Sequence, residues 1–434
     1  MLEQAFVFFI NLDAWQLLGY FWPFFMLDMV RYVLIEGVVL LYYLPKRKRM
    51  APRYAAARRR LFKEKPLISI IVPGKNEGRY LPKLVQTLRN QSYPFFELIV
   101  VDDGSDDTTP LICRELERQG LIDCFIRNAI RGGKASAANT ALQFANGPYI
   151  VHIDADSHMA TDALENIMLP FLMDDEVGCV GGDVRVANYS DSFATQTQGI
   201  EYTKSLMLGR TVASQLGILR IVSGAYGAFR KDVLNKIHGW DVGPGLDGDI
   251  TLKIRKLGYK VVHEPSSVCY TNAPKNFWRL AKQRYRWDKS MIRFRLRKHR
   301  DILLPSAEFK WSNFISVVDN LFFNLLLDIK WVIYFFQIVQ LSSAYIAFLL
   351  IINYVFYFLA NLAQWLFSII MQRSLGHKPN YKSVMFVPLM PIYTGTYLRL
   401  VRTFAYIMEL LHKSSYVDKW NPWKVSKIAK RNKL

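Results

Sequence analysis

The chain divides into three blocks by the pattern of its apolar and polar positions. Residues 5–44 form a mostly apolar and aromatic run. At about 1.5 Å rise per residue, such a run crosses a bilayer twice, or once with an interfacial helix. From 66 to 272 the pattern breaks into short apolar segments separated by helical ones. Segments 68–72, 98–101, 149–153 and 177–180 read as strands, and 81–90, 108–119, 134–145 and 163–171 as helices between them. This alternation predicts a three-layer α/β domain with a mostly parallel sheet. From 311 the chain turns apolar again. Segments 314–341 and 343–371 are each long enough to span a bilayer. Segment 383–411 is a third candidate, but it contains Pro388, Pro391 and Gly395 and is basic at both flanks, which favours a re-entrant or interfacial course.

Polar residues inside the apolar blocks need a partner. Ser316, Asn320, Asn324 and Asp328 recur every four residues, so they share one helix face. Such a stripe either hydrogen-bonds another helix or lines a path for a polar, uncharged solute. Asp28, Arg31 and Glu36 interrupt the N-terminal run. Asp28 and Arg31 either pair at i, i+3 or meet a partner protein.

Charge sharpens this division. The net charge is +20, and 51% of residues are hydrophobic. Residues 46–65 and 277–300 each hold ten Lys/Arg and one acid, so together they carry +18 of the +20. A nucleic-acid-binding domain more often spreads basic residues over a folded face. Two basic blocks beside apolar segments follow the positive-inside rule instead and put the central domain in the cytoplasm. The expected organisation is membrane helices at 1–45, a basic linker at 46–65, a catalytic domain at 66–272, amphipathic interfacial helices at 273–310, membrane helices at 311–411 and a basic tail at 412–434. No cleavable signal peptide is expected, because a charged n-region and a small-residue cleavage site are missing. Cys113, Cys124, Cys179 and Cys269 show neither CxxC nor zinc spacing and read as reduced thiols.

Candidate chemistry gathers at the predicted strand ends, where ligands bind in open α/β sheets. The first strand runs into Pro73-Gly74-Lys75-Asn76-Glu77-Gly78 and the second into Asp102-Asp103-Gly104-Ser105. The acids there suit a base or ribose, and equally a turn or helix cap. Arg131-Gly132-Gly133-Lys134 precedes a helix and suits a phosphate, although it is not a Walker A loop. Asp154-Ala155-Asp156 suits Mg²⁺ or Mn²⁺ already bound to a diphosphate. Gly245-Leu246-Asp247-Gly248-Asp249 offers a general base or a helix cap. Gln283-Arg284-Tyr285-Arg286-Trp287 offers a diphosphate contact and a sugar-stacking ring, or a surface-lying amphipathic helix.

The order of these motifs, with SGAYGAFR at 223–230 between DAD and GLDGD, resembles the processive family 2 membrane glycosyltransferases, among them cellulose, poly-N-acetylglucosamine and hyaluronan synthases. The resemblance covers about 60–300 in detail. It implies a GT-A (Rossmann-like) domain between N- and C-terminal membrane segments, in a bacterial-type plasma membrane. It implies inverting transfer from a UDP-sugar, UDP-GlcNAc or UDP-Glc with or without UDP-GlcA, to a growing polysaccharide that is exported. A small membrane subunit or export partner would be compatible with it. By this resemblance Asp102 and Asp103 bind uridine, Lys134 contacts the donor, and Asp156 with Asp154 binds the metal. Gly224 lies near the acceptor, and Asp247 is the catalytic base. Gln283, Arg286 and Trp287 match QxxRW, where the Arg contacts diphosphate and the Trp floors the acceptor site. Gly245-Leu246 stand where the family has Thr-Glu, which leaves Asp249 as the alternate base. Arg286 to Ser290 resemble the RWNKS of hyaluronan synthases, and only 23 residues follow Leu411, so a PilZ domain is not expected. A non-processive transferase acting on a lipid carrier, and a non-catalytic nucleotide-sugar-binding subunit, are the alternatives.

Overall fold

A computed structural model describes residues 2–241, 245–304 and 310–417. The basic tail expected at 412–434 therefore lies, from 418 on, outside the described residues.

The centre of the molecule is one eight-stranded sheet. Its strands are β1 Ile68–Gly74, β2 Phe96–Asp102, β3 Cys124–Arg127, β4 Tyr149–Ile153, β5 Ser157–Met159, β6 Val177–Val186, β7 Tyr226–Arg230 and β8 Lys260–Thr271. They lie in the order β3-β2-β1-β4-β7-β6-β8-β5. The β3-β2-β1-β4 half is parallel throughout, as is β6–β8. β7 runs antiparallel between β4 and β6, and β5 pairs antiparallel with β8. The sheet is thus mostly parallel, as expected, with β7 and the edge strand β5 turned against it.

Period-two alternation gives the sheet two apolar faces. Ile68, Ile70 and Val72 of β1 join Leu98 and Val100 of β2 under the helices Leu81–Arg89 and Ala163–Met173. Ile71, Ile99 and Val101 face the other way, against Ala135, Ala138 and Ala141 of the helix Lys134–Phe144. These alanines let that helix lie close to the sheet. The basic segment 46–65 is largely helical. Its helix Ala51–Glu64 sends Ala57 and Leu61, four apart, into the first of these clusters.

Three described helices are long and apolar enough to cross a membrane: Trp311–Val339, Ser343–Ser374 and Tyr381–His412. The third, read from its prolines and basic flanks as re-entrant or interfacial, has the length of a full span. It absorbs Pro388 within an opening 3₁₀ stretch, Tyr381–Leu389, before the α-helix Leu398–His412. The N-terminal run is helical too, over Ala14–Trp22 and Glu36–Arg49 with π-helical turns between. It is not among the three.

The charges in that run find distant partners rather than each other. Asp28 accepts from Lys330 Nζ at 2.5 Å and from the Tyr357 hydroxyl at 2.6 Å. Arg31 lies 3.4 Å from Asp319, and Glu36 accepts from Gln364 at 2.8 Å. Three of the four stripe residues on Trp311–Val339 are likewise engaged by protein, while Asn320 Oδ1 is buried without a hydrogen-bond partner among the described residues. Ser316 donates to the Ile218 carbonyl, Asn324 accepts from Arg402 at 2.9 Å, and Thr403 donates to Asp328 at 3.1 Å. Helix–helix bonding, of the two readings, is the one these contacts support.

Candidate active site

The parallel register brings the motifs to one edge. Gly74 at the end of β1 pairs with Asp102 at the end of β2, and β4 ends one residue before Asp154. Asp102 is buried. Its carboxylate accepts from the Ser105 amide at 2.9 Å and the Ser105 hydroxyl, and lies 3.3 Å from Arg127 Nε. Asp103 reaches across to the glycine loop. It accepts from the backbone amides of Gly132 at 2.9 Å and Gly133 at 2.7 Å, and from Asn128 at 3.2 Å. Gly133 has φ +89°, which favours glycine, and it opens the helix that begins at Lys134. Asp103 thereby staples the loop so that Lys134 starts its helix pointing at β4.

Lys134 Nζ donates to Asp154 at 2.5 Å and lies 3.4 Å from the Gly224 carbonyl. Burial disfavours its charge, but Asp154, Asp247 and Asp156 outweigh burial and hold the ammonium above its usual range. Asp247 sits in the first turn of the helix Leu246–Lys256. Its carboxyl is raised by burial, against the pull of Lys134 and the Gly224 amide. Gly224 is a close approach: a Cβ there would lie 2.2 Å from Asp247 Oδ1. Lys134, Asp154, Gly224 and Asp247, drawn from four motifs, thus meet at one point.

Asp249, the alternate base, is elsewhere. It is 1% exposed and is held by His299 at 2.6 Å and Lys298 at 2.8 Å, which keep its carboxyl below the usual range although burial opposes them. Two residues apart on one helix, the two acids face different surroundings.

Negative charge is in excess around Asp154. Asp156 is pushed up to about 6, first by burial and then by Asp154. Glu77 is pushed up to about 7, by burial and then by Asp156 and Asp154. Among the described residues no group of three or more His, Cys, Asp or Glu forms a metal cage. Two carboxylates with a surplus of negative charge nevertheless fit a hard divalent cation that takes few protein ligands and completes its shell with phosphate oxygens.

The helix Phe277–Met291 carries Gln283, Arg286 and Trp287. It backs onto the Asp247 loop, because a Cβ on Gly245 would meet Ser290 Cβ at 2.3 Å. Gln283 Oε1 is buried with no hydrogen-bond partner, Arg286 is half-buried, and Trp287 is 41% exposed. Gln283 and Trp287 make no hydrogen bond to Asp154, Asp156 or Asp247 among the described residues.

Three residues to which sequence reasoning gave no role of their own belong to this region. Glu77 stands beside the DAD acids. Arg284, between the motif's Gln and Arg, stacks over the Trp287 ring at 4.5 Å and pairs with Glu201 at 2.9 Å. Arg210 follows a π-helical stretch, Tyr202–Gly209, a feature frequent at functional sites. Among the described residues its Nη1 is buried without a hydrogen-bond partner, and it has no ion pair within 4 Å. Burial holds it below its usual range, against the field of Asp247 and Asp183.

Comparison with known proteins agrees with this architecture. Residues 69–238 match the family model for Glycosyl transferase family 2. The poly-beta-1,6-N-acetyl-D-glucosamine synthase of Staphylococcus epidermidis is 28% identical over 222 residues, 51% of this chain and 53% of the synthase, so this match spans about half that protein's length. The probable glycosyltransferase YdaM of Bacillus subtilis is 24% identical over 365 residues, 81% of this chain and 84% of its own. Among solved structures, the mannosyltransferase PcManGT from Pyrobaculum calidifontis, in complex with GDP-Man and Mn2+, superposes with a TM-score of 0.56 at 19% identity, covering 87% of this chain and 99% of that one. The motifs from Asp102 to Gly224 lie within residues 69–238, which form a glycosyltransferase domain of family 2, while Asp247 and Gln283 to Trp287 lie beyond the matched residues.

Proposed function

We propose that the protein is a membrane-embedded polysaccharide synthase that moves sugar from a UDP-sugar to the end of a growing chain, with inversion, and passes the polymer through the membrane. One observation carries this reading: Lys134, Asp154, Gly224 and Asp247 converge at the carboxyl edge of the sheet, in a chain with three membrane-length apolar helices. The similarity to a poly-N-acetylglucosamine synthase supports a polymer as product.

In this reading Asp102 and Asp103 form the nucleoside end of the donor site. Asp103 also holds the glycine loop, so its two tasks are coupled. Lys134 offsets the donor's diphosphate charge. Asp154 and Asp156 would hold Mg²⁺ or Mn²⁺, which supplies charge neutralisation for the diphosphate leaving group. Asp247 takes the proton from the attacking acceptor hydroxyl. Burial that lifts its carboxyl makes it a better base than an exposed aspartate, while Lys134 opposes that rise. Asp249 does not serve this role, because Lys298 and His299 already engage both of its oxygens. Arg286 assists at the diphosphate. Trp287, exposed and backed by Arg284, floors the acceptor ring. The catalytic domain faces the cytoplasm, where UDP-sugars are made.

The test is product analysis. Purified full-length protein in lipid, with Mn²⁺ or Mg²⁺, is given UDP-GlcNAc, UDP-Glc and UDP-GlcA alone and mixed, and both UDP release and product size are measured. A polymer from one donor or donor pair is the expected result. A single-sugar lipid product would convert the reading to a non-processive transferase. Absence of UDP release with every donor would reduce the protein to a binding subunit.

A further inference from the structure

The cleft leaves one large feature of the molecule unused. A cavity of about 820 Å³ opens between the first basic segment and the catalytic domain. One wall is the stretch from Leu44 to Arg58, and the other is the helix Ala163–Met173 with Ser266 of β8. The end of the apolar helix Ser343–Ser374 closes it through Ser374 and Leu375. It therefore sits where apolar helix surface gives way to basic surface. Its volume is in the range of ligand sites.

The lining is amphipathic in the same sense. Leu44, Pro45 and Leu375 are on the side of the apolar helices. Arg47, Lys48 and Arg58 are on the other, and Asp162 is the one acid in the lining. Arg47 is fixed by two bonds to Glu264, at 2.8 and 2.9 Å, and Arg58 pairs with Glu165. Both guanidiniums are thus pre-positioned. Lys48 is exposed and, among the described residues, has no ion pair or hydrogen-bond partner. Basic pockets of this kind beside membrane helices on the cytoplasmic side suit anionic lipid headgroups.

We propose that this cavity binds an anionic phospholipid, with the phosphate at Lys48 and Arg58 and the acyl chains leaving past Leu44 and Leu375 into the bilayer. The lipid joins the N-terminal helix, the catalytic domain and the end of a membrane helix at one point. The site lies outside the cleft, and it rests on the reading that the apolar helices cross a bilayer. It also gives the first basic block a specific task beyond setting orientation.

The full-length protein in detergent is mixed with phosphatidylglycerol or phosphatidylcholine, and retained lipid is counted by native mass spectrometry. Flotation on phosphatidylcholine vesicles is measured in parallel. The wild type should retain phosphatidylglycerol in preference to phosphatidylcholine. Ala55→Trp, which fills the cavity without changing charge, should lower that retention at least tenfold. Lys48→Gln should lower it about fivefold. Equal retention of the two lipids, or wild-type retention by both variants, would overturn the site while leaving the membrane reading intact. Failure of the wild type to float with neutral vesicles would instead overturn the membrane reading, and the site with it. Soluble glycerol phosphate that displaced the lipid fully would also overturn the proposal, since the apolar wall would then contribute nothing.

Discussion

The cleft and the apolar helices both bury charge, and they treat it differently. Among the helices, Asp28, Arg31, Asp319, Asp328, Lys330, Arg399 and Arg402 each lie within 4 Å of an opposite charge. In the cleft, Asp102 and Asp154 are paired, with Arg127 and Lys134, while Asp156, Asp247 and Glu77 have no ion pair among the described residues. A partnered charge in a low-dielectric setting is a structural joint. An acid lacking such a partner, lifted by burial and by its neighbours, is a group held ready for a cation, a proton or a substrate. The same contrast recurs on one helix turn, where Asp249 is locked and Asp247 is not.

The largest expected effect tests that pair of acids. Asp247→Asn should lower sugar transfer about 10³-fold while UDP binding persists. Asp249→Asn should act the other way. It leaves Lys298 and His299 facing a neutral group and should lower thermal stability by about 3–5 kcal/mol, as removal of one partner of a buried pair does. Activity per folded molecule should survive. If Asp249→Asn removed transfer without loss of stability, the two roles would have to be exchanged.

Next in size is the cation. Chelation of divalent ions should abolish transfer, and Mn²⁺ or Mg²⁺ should restore it. Asp156→Asn should lower transfer on the order of a hundredfold and raise the concentration of ion needed. Transfer that withstands both would remove the metal from the proposal and leave Lys134 to balance the diphosphate by itself.

Arg210 sharpens the comparison from the cationic side. Its guanidinium has no ion-pair partner among the described residues, yet it lies in the field of Asp247 and Asp183. Arg210→Met should lower the turnover rate about tenfold with donor KM unchanged, and Arg210→Lys should recover part of it. A fall in melting temperature with normal turnover per folded molecule would class Arg210 with the structural charges.

Much of this was legible in the sequence, for a local reason. β1, β2, β4 and β6 are short branched-apolar runs, and the motifs of Asp102, Lys134, Asp154 and Asp247 lie at a strand end or a helix start. β7 was not legible, since Gly224 and Gly227 weaken the strand signal, and its place between β4 and β6 follows from tertiary pairing. Nor was β8, whose Pro265, Ser266 and Ser267 break the apolar alternation over a bulged register. Glu77 and Arg210 carry no spacing signature. They matter through what folding brings beside them. The Asp28–Arg31 pair fails for the same reason: a neighbour three residues away loses to Lys330, some three hundred residues on, because only the folded helices put the two in contact.

The smallest expected effect tests the other half of the comparison. If the charges among the helices are joints, replacing both partners of one joint with neutral groups should matter little, since the desolvation that each charge requires disappears with the attraction it supplies. Asp28→Asn combined with Lys330→Met keeps the side-chain volumes nearly unchanged. The double variant should keep its melting temperature within a few degrees and its transfer rate and product length within about twofold, whereas Lys330→Met alone leaves Asp28 with hydrogen bonds but no counter-charge and should fall in stability by about 3–5 kcal/mol. Should the double variant instead make markedly shorter polymer at normal stability, the Asp28–Lys330 pair would belong to the path of the product. The line between working charges and holding charges would then run through the membrane helices rather than between them and the cleft.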